Sequence, residues 1–417
     1  MTAAEIQTSE AAAIVIRGPW DDVSPAPRAI VRAAIGRAIF SRAAARLGVR
    51  LELPGGHIAG DVAADSPTMR IHRPDDFFRR IGVDGLIGFG EGYMVGDWDA
   101  DDLAAALVPF ARQMASLVPK PLQRARRWYD ARQPASDEND LAGSRSNVAR
   151  HYDLSNELFA LFLDETMTYS SAVWADADSL ADAQKRKIDR LLDAANVGAG
   201  TRLLEIGTGW GALAVRAAQR GATVTTLTLS EEQQHLARQR ALCAGVADRV
   251  DVQLRDYREA VGRYDAILSV EMLEAVGSKY WADFFAAVDR LLRRGGRVGL
   301  QVITIDHERL LATRGTYTWI HKYVFPGGII PSLRAIDDVL AAHTGLRVTA
   351  RAEHGTDYAR TLHTWLERFR ERSREVLALG FDQQFIRMWR FYLAYCEAGF
   401  ATGYLNVHQL LLERPGQ

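Results

Sequence analysis

The chain has 417 residues, 48% hydrophobic and 25% charged, which is enough for two domains with their own cores and excludes a lone small binding module. Lysine and arginine total 51 against 52 acids, a net charge of -1, which excludes the strongly basic balance of a nucleic-acid binder and leaves any attraction to anionic surfaces local. No apolar run reaches the ~18 residues of a bilayer span, the first residues lack the basic start and apolar core of a signal peptide, and Cys243 and Cys396 offer neither a disulfide framework nor clustered metal spacing, so the chain reads as cytoplasmic.

Residues 1–27 carry Pro19, Pro25 and Pro27 and read as an irregular arm. From Arg28 to Leu47, Ile30, Val31, Ala34, Ile35, Ile39 and Phe40 recur at helical spacing with arginines on other faces. Two uses stay open for this cationic amphipathic helix: a solvated basic face over a buried stripe, or a membrane surface. Short strands are expected over Leu51 to Ile87, with turns at Pro54–Gly56 and His72–Asp76. The glycine-rich stretch Gly85–Asp99 then serves bends and close packing, not phosphate binding, and a helix follows from Asp101 to about Leu117.

Residues 28–118 are therefore expected to form a smaller α+β N-terminal domain. Residues 119–147, charged and interrupted by prolines, read as a linker. Its cluster Lys120, Arg124, Arg126, Arg127 and Arg132 is either a solvated helix face or a phospholipid headgroup site. Residues 148–417 alternate apolar strands (202–206, 223–229, 250–254, 266–270, 297–303) with helices (211–219, 231–245, 280–292), which predicts an α/β, doubly wound parallel sheet.

The sharpest motif is LLEIGTGWGALAVRAA, Leu203–Ala218: a strand, a turn at Gly207, Gly209 and Gly211, then a helix. Such a turn lets a ligand approach the backbone unobstructed by a Cβ. Spacing alone does not separate NAD from S-adenosylmethionine. The second strand, however, ends Thr228-Leu229-Ser230, without the ribose-binding acid of an NAD site. Glu205 inside the first strand and Asp256 after the third suit the donor's amino-acid end and its adenine amino group.

Further stretches then carry a family resemblance: HYDLSNELFALFLDETMTYSSAVW (151–174), TLTLSEEQ (226–233), SVEMLEAVG (269–277), YVFPGGIIPS (323–332), DYARTLHTWLERF (357–369) and FYLAYCEAGF (391–400). With the glycine motif they resemble the cyclopropane fatty acid synthases, S-adenosylmethionine-dependent enzymes that methylate the cis double bond of lipid acyl chains. The resemblance implies a Rossmann-like class I methyltransferase fold. Phe77–Leu103 is similar to the N-terminal domain of the full-length members. That implies a phospholipid substrate, a homodimer, and a cytoplasmic enzyme peripherally associated with the inner face of the membrane.

By the same resemblance the donor's contacts are Tyr169, Ser170, the glycine loop Ile206 to Leu213 with Thr208, Thr228 to Gln233 with Leu229 and Ser230, and Tyr257 with Arg258. Gln233 and Thr228 stand in for the missing ribose acid. The implied mechanism needs a base after methyl transfer, which in the family is a bound bicarbonate held by a glutamate, a tyrosine, a histidine and main-chain groups. Glu274 and Tyr358 match the glutamate and tyrosine.

Two departures follow. Ser171 stands where the family has cysteine, and Ile303-Thr304-Ile305 where it has His-Thr-Ile. Ser171 and Ile305 keep their backbone groups, but the histidine contact is lost. Bicarbonate is then held differently, and the proton leaves either to close a cyclopropane or to leave a methylene branch. The actinobacterial branch that makes 10-methylene fatty acids, precursors of tuberculostearic acid, fits best, with a separate reductase as the partner that saturates the product. Cys396 matches a cysteine long assigned to the family's active site, yet a thiolate would be alkylated by the donor, so packing is the better role. Trp319, His321 and Tyr323 are candidates to line the acyl tunnel, with core packing as the other use. Two rivals remain: a methyltransferase of small amines or hydroxyls, and a non-enzymatic lipid-binding protein.

Overall fold

The computed structural model describes residues 16–59, 62–113, 155–176 and 178–415. The expected linker, its basic cluster and His151 lie outside them.

The first unit pairs three helices with a four-stranded sheet of order β2-β1-β3-β4, made of β1 (Arg50–Leu53), β2 (His57–Ala59), β3 (Thr68–Ile71) and β4 (Trp98–Ala100). Strands β1 and β3 run parallel and the other pairs antiparallel. The strand expectation for residues 72–87 is corrected. A helix spans Pro74–Met94, because Pro74 sits in the first turn with Asp75 and Asp76, a favourable helix start. It kinks at Gly85, whose φ of 55° is open to glycine. The neighbouring glycines serve close packing: a Cβ on Gly90 would fall 2.5 Å from Trp319.

The helix Ile30–Arg46 crosses Pro74–Met94 with Gly36 against Gly82. This crossing buries Gly36 and Ala44 but leaves Ile30, Val31 and Ile35 at 79%, 74% and 54% exposure. The apolar stripe is thus split between a packed face and an open one. The arm ahead of it is anchored: Trp20 is buried against Phe381 and Phe385.

The second unit is a seven-stranded sheet of order β10-β11-β9-β8-β5-β6-β7. Its strands are β5 (Arg202–Ile206), β6 (Thr223–Thr228), β7 (Val250–Leu254), β8 (Tyr264–Val270), β9 (Leu292–Ile305), β10 (Arg347–Glu353) and β11 (Leu405–Glu413). Strands β5 to β9 are parallel, with helices between them, as expected. The sheet is nevertheless mixed, since β11 inserts antiparallel between β9 and β10. β10 escaped the sequence pattern because it is an edge strand, RVTARAE, with no buried residue.

The two units share a core. One apolar cluster runs from Phe77, Phe89 and Trp98 through Phe391 on the helix Gln383–Ala401 to Trp389 and Trp365. At the seam, buried Glu91 accepts from Lys322 Nζ at 2.6 Å and from the Tyr323 hydroxyl at 2.8 Å. Arg80 bonds Asp97 at 3.0 Å and lies 3.8 Å from Glu91, and Arg387 bonds Asp99 at 2.9 Å.

Candidate active site

Ligand crevices of open α/β sheets lie beyond the carboxyl ends of the parallel strands, and there the motif residues gather. Gly207, Gly209 and Gly211 have φ of 99°, 50° and 89°, the left-handed region that glycine enters without strain. The turn is tied to the next strand, since the Gly207 and Thr208 amides both donate to Leu227 O at 3.0 Å. A Cβ on Gly207 would strike Met272 at 2.6 Å, whereas one on Gly209 would meet nothing within 4 Å. The middle of the turn is open for a ligand.

Behind it, Thr208 bonds Thr226 at 2.7 Å, and Thr226 donates to Glu205 at 2.6 Å. Burial pushes the Glu205 carboxyl up to about 8. In this arrangement Glu205 steadies the turn from beneath. Ile206 O accepts from Ser269 Oγ at 2.9 Å, joining β5 to β8.

At the end of β6, Thr228 donates to Gln233 Oε1 at 2.8 Å and accepts from the Ser230 amide. Ser230 caps the helix Glu231–Cys243 through the Gln233 amide, and Leu229 lies between these two polar residues. Beyond β7, Asp256 accepts two bonds from the Arg258 guanidinium, at 2.8 and 2.7 Å. That guanidinium also lies over the Tyr257 and Tyr280 rings. The Tyr257 hydroxyl is buried without a partner. Thr228, Gln233, Asp256 and Tyr257 form a polar, aromatic wall suited to a nucleoside.

A second cluster is made by Tyr169–Ser171, the segment after β8, and β9. The Tyr169 hydroxyl meets that of Tyr392 at 2.8 Å, and its ring packs on Phe159 and Trp365. Ser170 Oγ accepts from buried Lys187 Nζ at 2.6 Å, and desolvation lowers that lysine to about 8. The Ser171 amide donates to Glu271 Oε1 at 2.8 Å, and Gln301 Nε2 donates to the same oxygen at 2.8 Å. Buried Tyr358 lies close enough to Glu271 for each to shift the other's titration.

Three residues on, Glu274 accepts from the Ile303 amide with one oxygen, while the other is buried with no partner. Burial and the neighbouring Glu271 charge push Glu274 up to about 8. No arginine pairs with it among the described residues. Ile305 spends its amide on Pro331 O at 2.9 Å. Cys396 lies among Tyr358, Tyr392 and Tyr395, and burial raises its thiol to about 12, so it stays protonated.

Glu274, Tyr358 and Ser171 thus come together around Glu271, and the glycine turn, Thr228 and Asp256 lie at the carboxyl ends of β5, β6 and β7. Trp319, His321 and Tyr323 have other contacts. Trp319 packs on Phe391 and Gly90, Tyr323 reaches Glu91, and His321 bonds Thr318 and Gly328 O. Sequence reasoning missed Glu271, Lys187 and Gln301. Only Glu271 left a trace, an acid three residues before Glu274 in the same motif.

The family profile described as mycolic acid cyclopropane synthetase matches residues 140–410. The chain belongs to this family. It is 48% identical to the tuberculostearic acid methyltransferase UfaA1 of Mycobacterium tuberculosis, over 100% of both chains. It is 34% identical to the cyclopropane-fatty-acyl-phospholipid synthase of Escherichia coli, over 87% of this chain and 91% of that one. Among solved structures, the mycolic acid cyclopropane synthase CmaA1 with bound SAH matches at a TM-score of 0.60 and 30% identity, covering 67% of this chain and 98% of that one. As a mycolic acid cyclopropane synthetase family member, the chain is an S-adenosylmethionine-dependent methyltransferase.

Proposed function

We propose that the enzyme methylates the cis double bond of an unsaturated fatty acyl chain carried by a membrane phospholipid, leaving a methylene branch for a separate reductase to saturate. The observation that carries this reading is the pair Glu271 and Glu274: two enclosed carboxyls, without an ion-paired cation, among apolar and aromatic side chains. An alkene is a weak nucleophile and gains a positive charge on methylation. Its enzyme must exclude water, face the cation with aromatic rings and carboxylates, and take a proton away. Tyr169, Tyr358 and Trp365 supply such rings.

In this reading the donor is held by the open glycine turn, with Thr228 and Gln233 on its ribose side and Asp256 and Tyr257 on its adenine side. The donor supplies an electrophilic methyl, and the chain's residues orient it and receive the proton. Two features support a branched product: the full-length relative named as a tuberculostearic acid methyltransferase, and Ile303 at the family's histidine position. The open face of Ile30–Arg46, with Ile30, Val31 and Ile35 beside Arg28 and Arg32, suits contact with an anionic bilayer. No described helix is long and apolar enough to cross a membrane.

The test is incubation with oleoyl-phospholipid vesicles and methyl-labelled donor, followed by mass spectrometry of the fatty acid methyl esters. A labelled carbon in the acyl chain, with the fragmentation of a methylene branch, is expected. Label passing only to small amines or hydroxyls overturns the proposal.

A further inference from the structure

We infer that the side chain of Glu271 takes the place of a bound bicarbonate and is itself the base that removes the proton after methyl transfer. This rests on the lipid-methylation reading and deepens it. Glu271 follows β8 directly, with φ of 52°. Glycine enters that region freely and glutamate does so only at a cost. The backbone is pinned there by the Glu271 amide donating to Gln301 O at 2.7 Å. A carboxylate is therefore held where the main chain would more easily take a residue without a side chain.

The contacts explain what the strain achieves. Ser171 N, one of the groups that the family resemblance assigns to bicarbonate, donates to Glu271, and Tyr358, another, lies beside that carboxyl. The remaining groups are spent or missing. Ile305 N donates to Pro331 O, Ile303 brings no imidazole, and its amide donates to Glu274. A free bicarbonate would find these three main-chain amides spent and would lie against two carboxyl groups. The residues present do not fit it.

The two acids also divide their roles. Burial pushes the Glu271 carboxyl up as well, but the Lys187 ammonium, Gln301 Nε2 and Ser171 N pull it back toward its ionised form. Glu274 faces the Glu271 charge with one oxygen unpaired and is the neutral partner. In the reaction the alkene's π pair forms the new C–CH3 bond as the S–CH3 bond breaks, its electrons returning to sulfur to give S-adenosylhomocysteine. The cation lies on the carbon beside the methylated one; loss of a methyl proton to a Glu271 oxygen turns that C–H pair into the third bond of a ring. If a 1,2-hydride shift first moves the cation to the methyl-bearing carbon, the same proton loss turns the C–H pair into the double bond of a methylene branch.

The experiment measures methylated lipid from the full-length enzyme in buffer stripped of carbon dioxide, then with added bicarbonate, for wild type, Glu271→Gln and Glu271→Gly. Donor affinity by calorimetry serves as the check on folding. Wild-type rates should agree within about twofold with and without bicarbonate. Glu271→Gln should lose about 100-fold or more in both buffers, in the range of a lost general base, with donor affinity within about threefold. Glu271→Gly, which relieves the backbone, should be equally slow without bicarbonate and recover about tenfold with it.

A wild type that needs bicarbonate overturns the inference. So does a Glu271→Gln variant that keeps more than about a tenth of its rate, or a Glu271→Gly variant that bicarbonate does not rescue. If wild type methylates no lipid in either buffer, it is the lipid reading that fails.

Discussion

Acids at the seam between the two units and in the segment after β8 have different surroundings. At the seam between the units every buried carboxylate meets a cation: Asp97 lies with Arg73 and Arg80, and Glu91 with Lys322. After β8, Glu271 and Glu274 bond main-chain amides and an amide side chain, and one Glu274 oxygen bonds nothing. Desolvating an unpaired carboxyl is costly, and a fold retains it only where something else requires it. The seam acids hold two bodies together, whereas the acids after β8 have no salt bridge among the described residues.

The largest expected effect that would sharpen this contrast is Glu274→Gln. It should cost about 1000-fold in turnover, or roughly 4 kcal/mol of barrier, with donor affinity close to wild type. Comparable rates in a turnover assay would remove Glu274 from the reaction. On the other side of the comparison, Arg80→Met removes the buried cation between Asp97 and Glu91, leaving them only Arg73 and Lys322. It should cost about 3 kcal/mol of stability in chemical denaturation and leave turnover per folded molecule within about threefold. A larger loss of turnover would show that the seam also serves the chemistry.

A third test uses pH. The folded values of Glu205 and Glu274, about 8, lie above the ordinary 4.5. Their stabilising effect is complete below about 4.5 and is lost as pH rises to about 8. Wild-type stability should therefore fall across that window by about 1 kcal/mol per pH unit for each group, and Glu274→Gln should flatten the slope in denaturation curves. Lys187, lowered to about 8, has its own window above that pH, with stability rising toward 10.5. The smallest effect belongs to Cys396→Ala. A thiol held neutral at about 12 has no nucleophilic role to lose, so turnover should stay within about threefold; a 100-fold loss would restore Cys396 to the mechanism.

The five parallel strands and the glycine turn were legible because an apolar run followed by glycines and a helix has few other physical solutions. The helix from Pro74 was missed although Pro74, Asp75 and Asp76 marked its start, since the glycines after it argued for strand and turn. Strands β10 and β11 were missed for a different reason. An edge strand needs no apolar alternation, and β11 is defined by pairing with β9, more than a hundred residues away in sequence.

In the site, Glu274 and Tyr358 could be named because their motifs stand in the sequence. Glu271 could not, since a carboxylate's role depends on which donors the fold brings to it. Ser171 lies 100 residues before it and Gln301 lies 30 after.

By itself the sequence determined the cofactor class, the strand that binds it and the family, because these rest on local backbone chemistry repeated in order. The tertiary structure alone decided which acid is paired and which is left free, which half of the first helix faces outward, and that the sheet is mixed. Each of these depends on long-range packing, where burial and distance, rather than residue type, set the energy of a charge or an apolar surface.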